Sequence, residues 1–185
     1  MKSRQDWLEA GLDILGGQGL PGLRIEALCS AVGATRGSFY HHFVDMPGYR
    51  VALLEEFELR WTSRLIDHAE SIASQGPASQ LQVLSDDVVD SLSPREAIIE
   101  RNVRAWATQD ADAATILARI DARRLAYLTD LLRGLGYDQT ESERGARHLA
   151  LLVIGANLMS PPSSPSELRE VFQPLIENLL AGASQ

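Results

Sequence analysis

The eleven residues Gly33-Ala34-Thr35-Arg36-Gly37-Ser38-Phe39-Tyr40-His41-His42-Phe43 decide how this chain is read. Gly33 breaks the segment before it, and the Thr35 hydroxyl is suited to cap a new helix by accepting backbone N–H bonds. In a helix that starts there, Phe39 and Phe43 lie one turn apart and share a buried face. At about 100° per residue, Gly37 and His41 then fall on the opposite side, flanked by Arg36, Ser38 and Tyr40. The spacing predicts a short helix held by two phenylalanines that shows hydroxyls, a guanidinium and imidazoles to a partner.

Upstream, Arg24 to Val32 places Ile25, Leu28, Cys29 and Val32 at i, i+3, i+4 and i+7, a second short helix with one apolar face. Cys29 on that face reads as a small packing residue, because a reactive thiol needs an exposed, electropositive setting. Two short helices joined by a glycine turn make a helix-turn-helix candidate. Before them, residues 3 to 16 carry Trp7, Leu8, Gly11, Leu12, Ile14 and Leu15 at helical spacing and stop in the run Gly16-Gly17-Gln18-Gly19-Leu20-Pro21-Gly22. Gly17, Gly19 and Gly22 spell G-x-G-x-x-G. A dinucleotide loop, however, needs a strand before the glycines and a helix opening within them, and here a helix precedes and Pro21 interrupts. No cofactor is expected.

Downstream, Asp45 is a plausible N-cap with Met46-Pro47 in the first turn. Val51, Leu54, Phe57, Trp61, Leu65 and Ile72 follow near one stripe, so a fourth helix should reach about Ala73, roughly 40 Å. Beyond Gly76-Pro77, helices are expected over 79–92, 94–108, 111–135, 140–159 and 166–181, with Gly134-Leu135-Gly136 and the proline-rich stretch 161–165 as breaks. No alternating strand or internal repeat stands out. The expected fold is all-α: an N-terminal three-helix helix-turn-helix domain over 1–48 and a C-terminal helical domain over 49–185.

Composition agrees with a folded protein of this kind. With 185 residues and 45% hydrophobic content the chain can build a sizeable core. A single cysteine rules out an internal disulfide and any multi-cysteine metal site. His41 and His42 are adjacent, so their side chains diverge on a helix, and no third ligand is near; no metal is expected. The polar start lacks the apolar core of a signal peptide, and no run is long enough to cross a bilayer, so a cytoplasmic protein is expected. The net charge of −8 is uneven: residues 1–50 hold five basic and five acidic groups, the remainder 12 and 20. A neutral N-terminal segment in an acidic chain lacks the basic stripe that binds phosphates without regard to sequence.

The segments Leu23-Arg24-Ile25-Glu26-Ala27-Leu28-Cys29 and Val32 to Phe43 resemble the TetR family of bacterial transcriptional regulators. That family shows a hydroxyl residue, any residue, then Gly-hydroxyl-apolar-Tyr, and closes on His-Phe, as Thr35 to Phe43 do here. The resemblance covers about the first fifty residues. It implies that Thr35 and Tyr40 contact phosphates, that Arg36, Gly37 and Ser38 approach base edges, and that His41 and His42 add base or backbone contacts. These roles suit the residue types: a helix fits the major groove, and arginine bonds guanine in bidentate fashion. Two positions depart from the family. Met46 stands where a phosphate-binding lysine is common, leaving Lys2 and Arg4 as substitutes, and Arg24 replaces a small capping hydroxyl.

The resemblance further implies a homodimer on an operator of double-stranded DNA, and a small-molecule effector that releases it. The apolar faces of the last two helices fit a dimer seam: Leu149, Leu152, Val153 and Ala156, then Phe172, Leu175, Ile176 and Leu179. An effector pocket within the C-terminal domain would draw on Trp61, Asn102, Trp106, Asp121, Tyr127, Asn157 and Met159, although the tryptophans fit a helical core as well. A helical binding module that has lost DNA binding is the alternative, motivated by Met46 and the low basic charge. No Ser-His-acid order or Cys-His pairing points to an enzyme.

Overall fold

In the computed structural model, which describes residues 2–182, every regular element is helical. Helix α1 (Arg4–Gln18) opens on a capping box: Asp6 N–H donates to the Ser3 hydroxyl (3.2 Å) and Ser3 N–H to the Asp6 carboxylate (2.7 Å). Its buried stripe includes Trp7, Leu8, Leu12, Ile14 and Leu15, as the periodicity predicts. The helix ends at Gly19, whose φ of 66° suits a residue without a Cβ. A short 3₁₀ turn (Leu20–Gly22) leads into α2 (Ile25–Val32), which Gly33 closes in the left-handed conformation. Helix α3 (Arg36–His42) follows after two residues, capped by Thr35, and α4 (Met46–Glu58) is capped by Asp45, which accepts the Gly48 N–H at 2.7 Å.

The fourth helix does run on as expected, but not as one uniform cylinder. A wider, π-helical turn (Leu59–Ser63) separates α4 from α5 (Arg64–Ser71). Arginines downstream supply donors: Arg124 to the Thr62 hydroxyl (2.8 Å) and the Trp61 carbonyl (3.3 Å), Arg123 to the Ser63 hydroxyl (2.7 Å). The remaining helices are α6 (Pro77–Asp90), α7 (Pro94–Ala107), α8 (Ala111–Gly134), α9 (Gln139–Leu158) and α10 (Pro165–Gly182), all within two residues of their expected bounds.

The chain forms two compact units, each discontinuous in sequence. The first comprises residues up to Leu59 together with Ile98–Ala118, and the second comprises Arg60–Ala97 together with Arg119 onward. In the first, Phe39 is fully buried among Trp7, Phe43 and Tyr49, with ring centroids 5.5, 5.3 and 5.4 Å away. The Tyr49 hydroxyl donates to the Trp7 carbonyl (2.8 Å) across the bare surface of Gly11, where any Cβ would stand 1.9 Å from the Tyr49 hydroxyl oxygen. From the later segment, Ile99, Val103, Trp106, Ala113 and Leu117 complete this core, and Asn102 donates to the Leu15 carbonyl at 2.6 Å. The second unit is built around Leu81, Leu131, Leu132, Leu149, Leu168, Phe172 and Ile176.

Candidate nucleic-acid interface

Helix α3 has two unlike sides. Inward, Phe39 and Phe43 tie it to α1 and α4 through the aromatic cluster. Outward, Thr35, Arg36, Gly37, Tyr40 and His41 are exposed and Ser38 is half-exposed. Two features fix the geometry of that outer side. The Thr35 hydroxyl accepts the Ser38 N–H (3.3 Å), setting where the helix begins. The Tyr40 ring stands edge-on to Phe39 at 5.5 Å while 54% of the residue stays exposed, so its body is braced and its hydroxyl is presented to solvent.

Gly37 is informative because nothing inside the chain demands it. A Cβ there would meet only the Thr35 hydroxyl, at an ordinary 3.7 Å. The small residue therefore clears space on the outer surface rather than in the core, which suits close approach by an external backbone or base.

His42 behaves differently from its neighbours. It is half-buried, and its Nε2 donates to the Lys2 carbonyl at 2.9 Å. Arg4 lies over the Phe43 ring, 5.3 Å from its centroid. The two contacts dock the N-terminal segment beside the end of α3. Met46 is half-buried in the first turn of α4 and offers no charge there.

One participant was not among the residues singled out from the sequence. The Arg36 guanidinium is ion-paired with Glu26, in the first turn of α2, and both side chains are 65% exposed. Cys29, one turn after Glu26, is half-buried, and burial pushes its thiol above the ordinary range. No local pattern reports such a pair, since it spans the turn between two helices and depends on where two long surface side chains point.

The residues proposed to wall an effector pocket are split between the units. Asn102 and Trp106 belong to the first, where Asn102 holds the Leu15 carbonyl and Trp106 is core. Trp61, Asp121, Tyr127, Asn157 and Met159 belong to the second. There Asp121 faces Arg124 at 3.6 Å, and the Tyr127 hydroxyl accepts from Gln80 at 3.4 Å. Burial first, then Glu70, raises that hydroxyl above the ordinary tyrosine range. Asn157 is buried, while Met159 is exposed, its sulfur accepting from the Ser163 hydroxyl at 3.6 Å. Separately, an open groove of about 410 Å³ runs along α1 and α2, lined by Lys2, Asp6, Glu9, Asp13 and Gln18 among others, and contains none of these seven.

The residues proposed for a dimer seam divide as well. Leu149, Phe172 and Ile176 are buried in the second unit's own core, and Leu152, Val153, Ala156, Leu175 and Leu179 pack partly buried against it. The large apolar side chains that α9 and α10 leave exposed are Leu151, Leu158 and Val171. The reason is geometric: a helix that is apolar over a wide arc can serve its own core with one edge and keep the other outside.

No family model matches the chain. Among curated proteins it is similar to the transcriptional regulator AcuR of Cereibacter sphaeroides, with 28% identity over 83 residues. That match takes in 45% of this chain but only 37% of the regulator's length. Among solved structures, a TetR-family transcriptional regulator from Streptomyces coelicolor superposes with a TM-score of 0.81 at 22% identity, covering 98% of this chain and 96% of that one. A transcriptional regulator from Saccharomonospora viridis, solved in complex with choline, gives 0.75 at 16% identity over 94% and 95%. The chain therefore shares the fold of these transcriptional regulators.

Proposed function

We propose that the protein is a transcriptional regulator that inserts α3 into the major groove of duplex DNA, working as a homodimer on a two-fold-related operator. The observation that carries this reading is the outer face of α3. Thr35, Arg36, Gly37, Ser38, Tyr40 and His41 are gathered on one exposed surface whose reverse is fully committed to the core. A recognition helix needs that division, because its N-terminal residues must reach base edges while the rest of the helix stays rigid. In this assignment Thr35 and Tyr40 bind phosphates, Arg36 reads guanine, and Gly37 and Ser38 admit the backbone to the groove floor. His42 acts indirectly by positioning Lys2, and with Arg4 that residue takes over the electrostatic task that Met46 does not perform.

Repression is the mode we assign, with release by a small-molecule inducer held in the second unit and action in the cytoplasm, where the operator is. The choline complex of the Saccharomonospora viridis regulator supports the idea that this fold accommodates a small organic ligand. Among the described residues, no helix is long and apolar enough to cross a membrane. Selection of bound sequences from random duplex DNA at near-physiological salt tests the proposal, run beside an Arg36→Ala/Tyr40→Ala variant. Enrichment of a palindrome by the native protein alone supports it. If neither protein enriches any sequence, DNA binding is lost in this chain and the helical module must be assayed for other ligands.

A further inference from the structure

The outer side of α3 is short of permanent positive charge for a surface assigned to meet phosphates. Residues 1–50 carry five basic and five acidic groups. Arg36 is the one permanent cation within α3 and already holds the Glu26 carboxylate, and Met46 adds no charge at the head of α4. His41 differs in kind. It is exposed, one turn beyond Gly37 on the side away from the buried Phe39 and Phe43, and the proposed reading gives it no task. An imidazole changes charge between about pH 5 and 8, so this side chain can acquire the cation that the surface lacks.

His42 is not equivalent. It is half-buried, and its Nε2 donates to the Lys2 carbonyl at 2.9 Å, a bond that a neutral ring supplies. The His41 ring stands 5.1 Å from it, close to perpendicular. The other charged and titratable groups around this end of α3 are Lys2 and Arg4 on the docked N-terminal segment, Tyr40 on the helix, and Asp45, whose carboxylate accepts the Gly48 N–H. A second proton at His42 would meet Arg4 and His41. A proton on His41 meets solvent on the outer side, in the last turn of a helix, where carbonyl ends favour a cation.

Resting on the assignment of α3 as the recognition helix, we propose that His41 is a proton-coupled phosphate contact. On binding duplex DNA its imidazole takes one proton from solvent and pairs, as imidazolium, with a backbone phosphate. The sign of the pH dependence follows from linkage. DNA favours the protonated form, so the gain is complete below the range where a free imidazole titrates and is lost as pH rises through the range of the bound one. An ordinary imidazole titrates near pH 6.5, and an adjacent opposite charge raises that by about one unit or more. One unit corresponds to a fall in affinity of about sixfold per subunit between pH 6 and pH 8, or about fortyfold for a dimer. The protein would thus grip its operator more tightly as its surroundings acidify.

The test measures fluorescence anisotropy on the selected operator at pH 6, 7 and 8 at constant ionic strength, for the native protein, His41→Gln and His41→Arg. Helicity recorded at each pH separates unfolding from release. Native affinity should fall by about fortyfold across the range, and that of His41→Gln by less than about threefold, starting near the native value at pH 8. His41→Arg carries a permanent charge and should hold affinity within a few fold of the native pH 6 value throughout. The native slope of log affinity against log salt should be steeper at pH 6 than at pH 8 by about one, whereas His41→Gln should show a single slope. A His41→Gln variant that keeps the native pH dependence would place the titrating group elsewhere and overturn the proposal. So would a native affinity that is the same at pH 6 and pH 8. A native protein that enriches no sequence would instead remove the assignment of α3, and the inference with it, so the two failures are told apart by the selection that precedes the titration.

Discussion

At the residue scale, Arg36 and Tyr40 share the outer side of α3 but are assigned different work, and substitutions should separate them. Tyr40 is a neutral donor braced against Phe39. Replacing it with phenylalanine keeps the ring packing and removes one phosphate bond. Tyr40→Phe should therefore weaken binding by about twofold to tenfold for every duplex, since a net hydrogen bond is worth about 0.5–1.5 kcal/mol, without changing the salt slope. Arg36→Ala should cost about 1–3 kcal/mol on the operator and relax the preference at one base position while leaving the others intact. Fluorescence anisotropy on the operator and on single-base variants measures both; a Tyr40→Phe profile that differs between bases would contradict its assignment.

At the element scale, the joint between α1 and α4 depends on an absence. The Tyr49 hydroxyl occupies the place a side chain on residue 11 would take and bonds the Trp7 carbonyl from there. Gly11→Ala gains about 1 kcal/mol of helix propensity. Against this, overpacking costs about 1–3 kcal/mol and the displaced hydroxyl forfeits its bond. A net loss of about 1–3 kcal/mol is expected in chemical denaturation. Tyr49→Phe alone should cost about 1 kcal/mol, but in combination with Gly11→Ala it should restore part of the loss, a coupling that a double-mutant cycle reads directly. Burial also raises the Tyr49 hydroxyl well above its ordinary range. The neutral form is favoured in the folded state, so this contribution is complete below the unfolded tyrosine value of about 10 and is lost as pH rises past it. Tyr49→Phe should accordingly flatten the alkaline fall in stability. Much of this architecture was legible in the chain itself. Thr35, Gly33 and the Phe39/Phe43 pair announce α3 because caps and one-turn spacings are local. The π-helical turn at Leu59–Ser63 and the Asn102–Leu15 bond were not legible, since both are settled by partners far away in sequence. Of the interface, the outward residues followed from the same periodicity; Glu26 and the Lys2 carbonyl did not, because they enter through tertiary contacts.

At the scale of the whole molecule, the proposed homodimer calls for a seam on α9 and α10. Leu151 and Leu158, two turns apart on α9, and Val171 on α10 are about half or more exposed and would line it. A Leu151→Glu/Val171→Glu variant should keep its helicity, sediment as a monomer and lose operator affinity by more than about a hundredfold, because each half-site contact would then form alone. Retention of a dimer by that variant would move the seam elsewhere. The make-up of the first unit has another outcome, which concerns time. Its core takes Ile99, Val103, Trp106 and Leu117 from a segment that a ribosome makes well after α3. Helix α3 can therefore emerge early but cannot be seated on a finished core until nearly two-thirds of the chain has been translated. A nascent protein would thus have no finished seat for α3 until α5 and α6 of its second unit have been synthesised, with α9 and α10 still to follow.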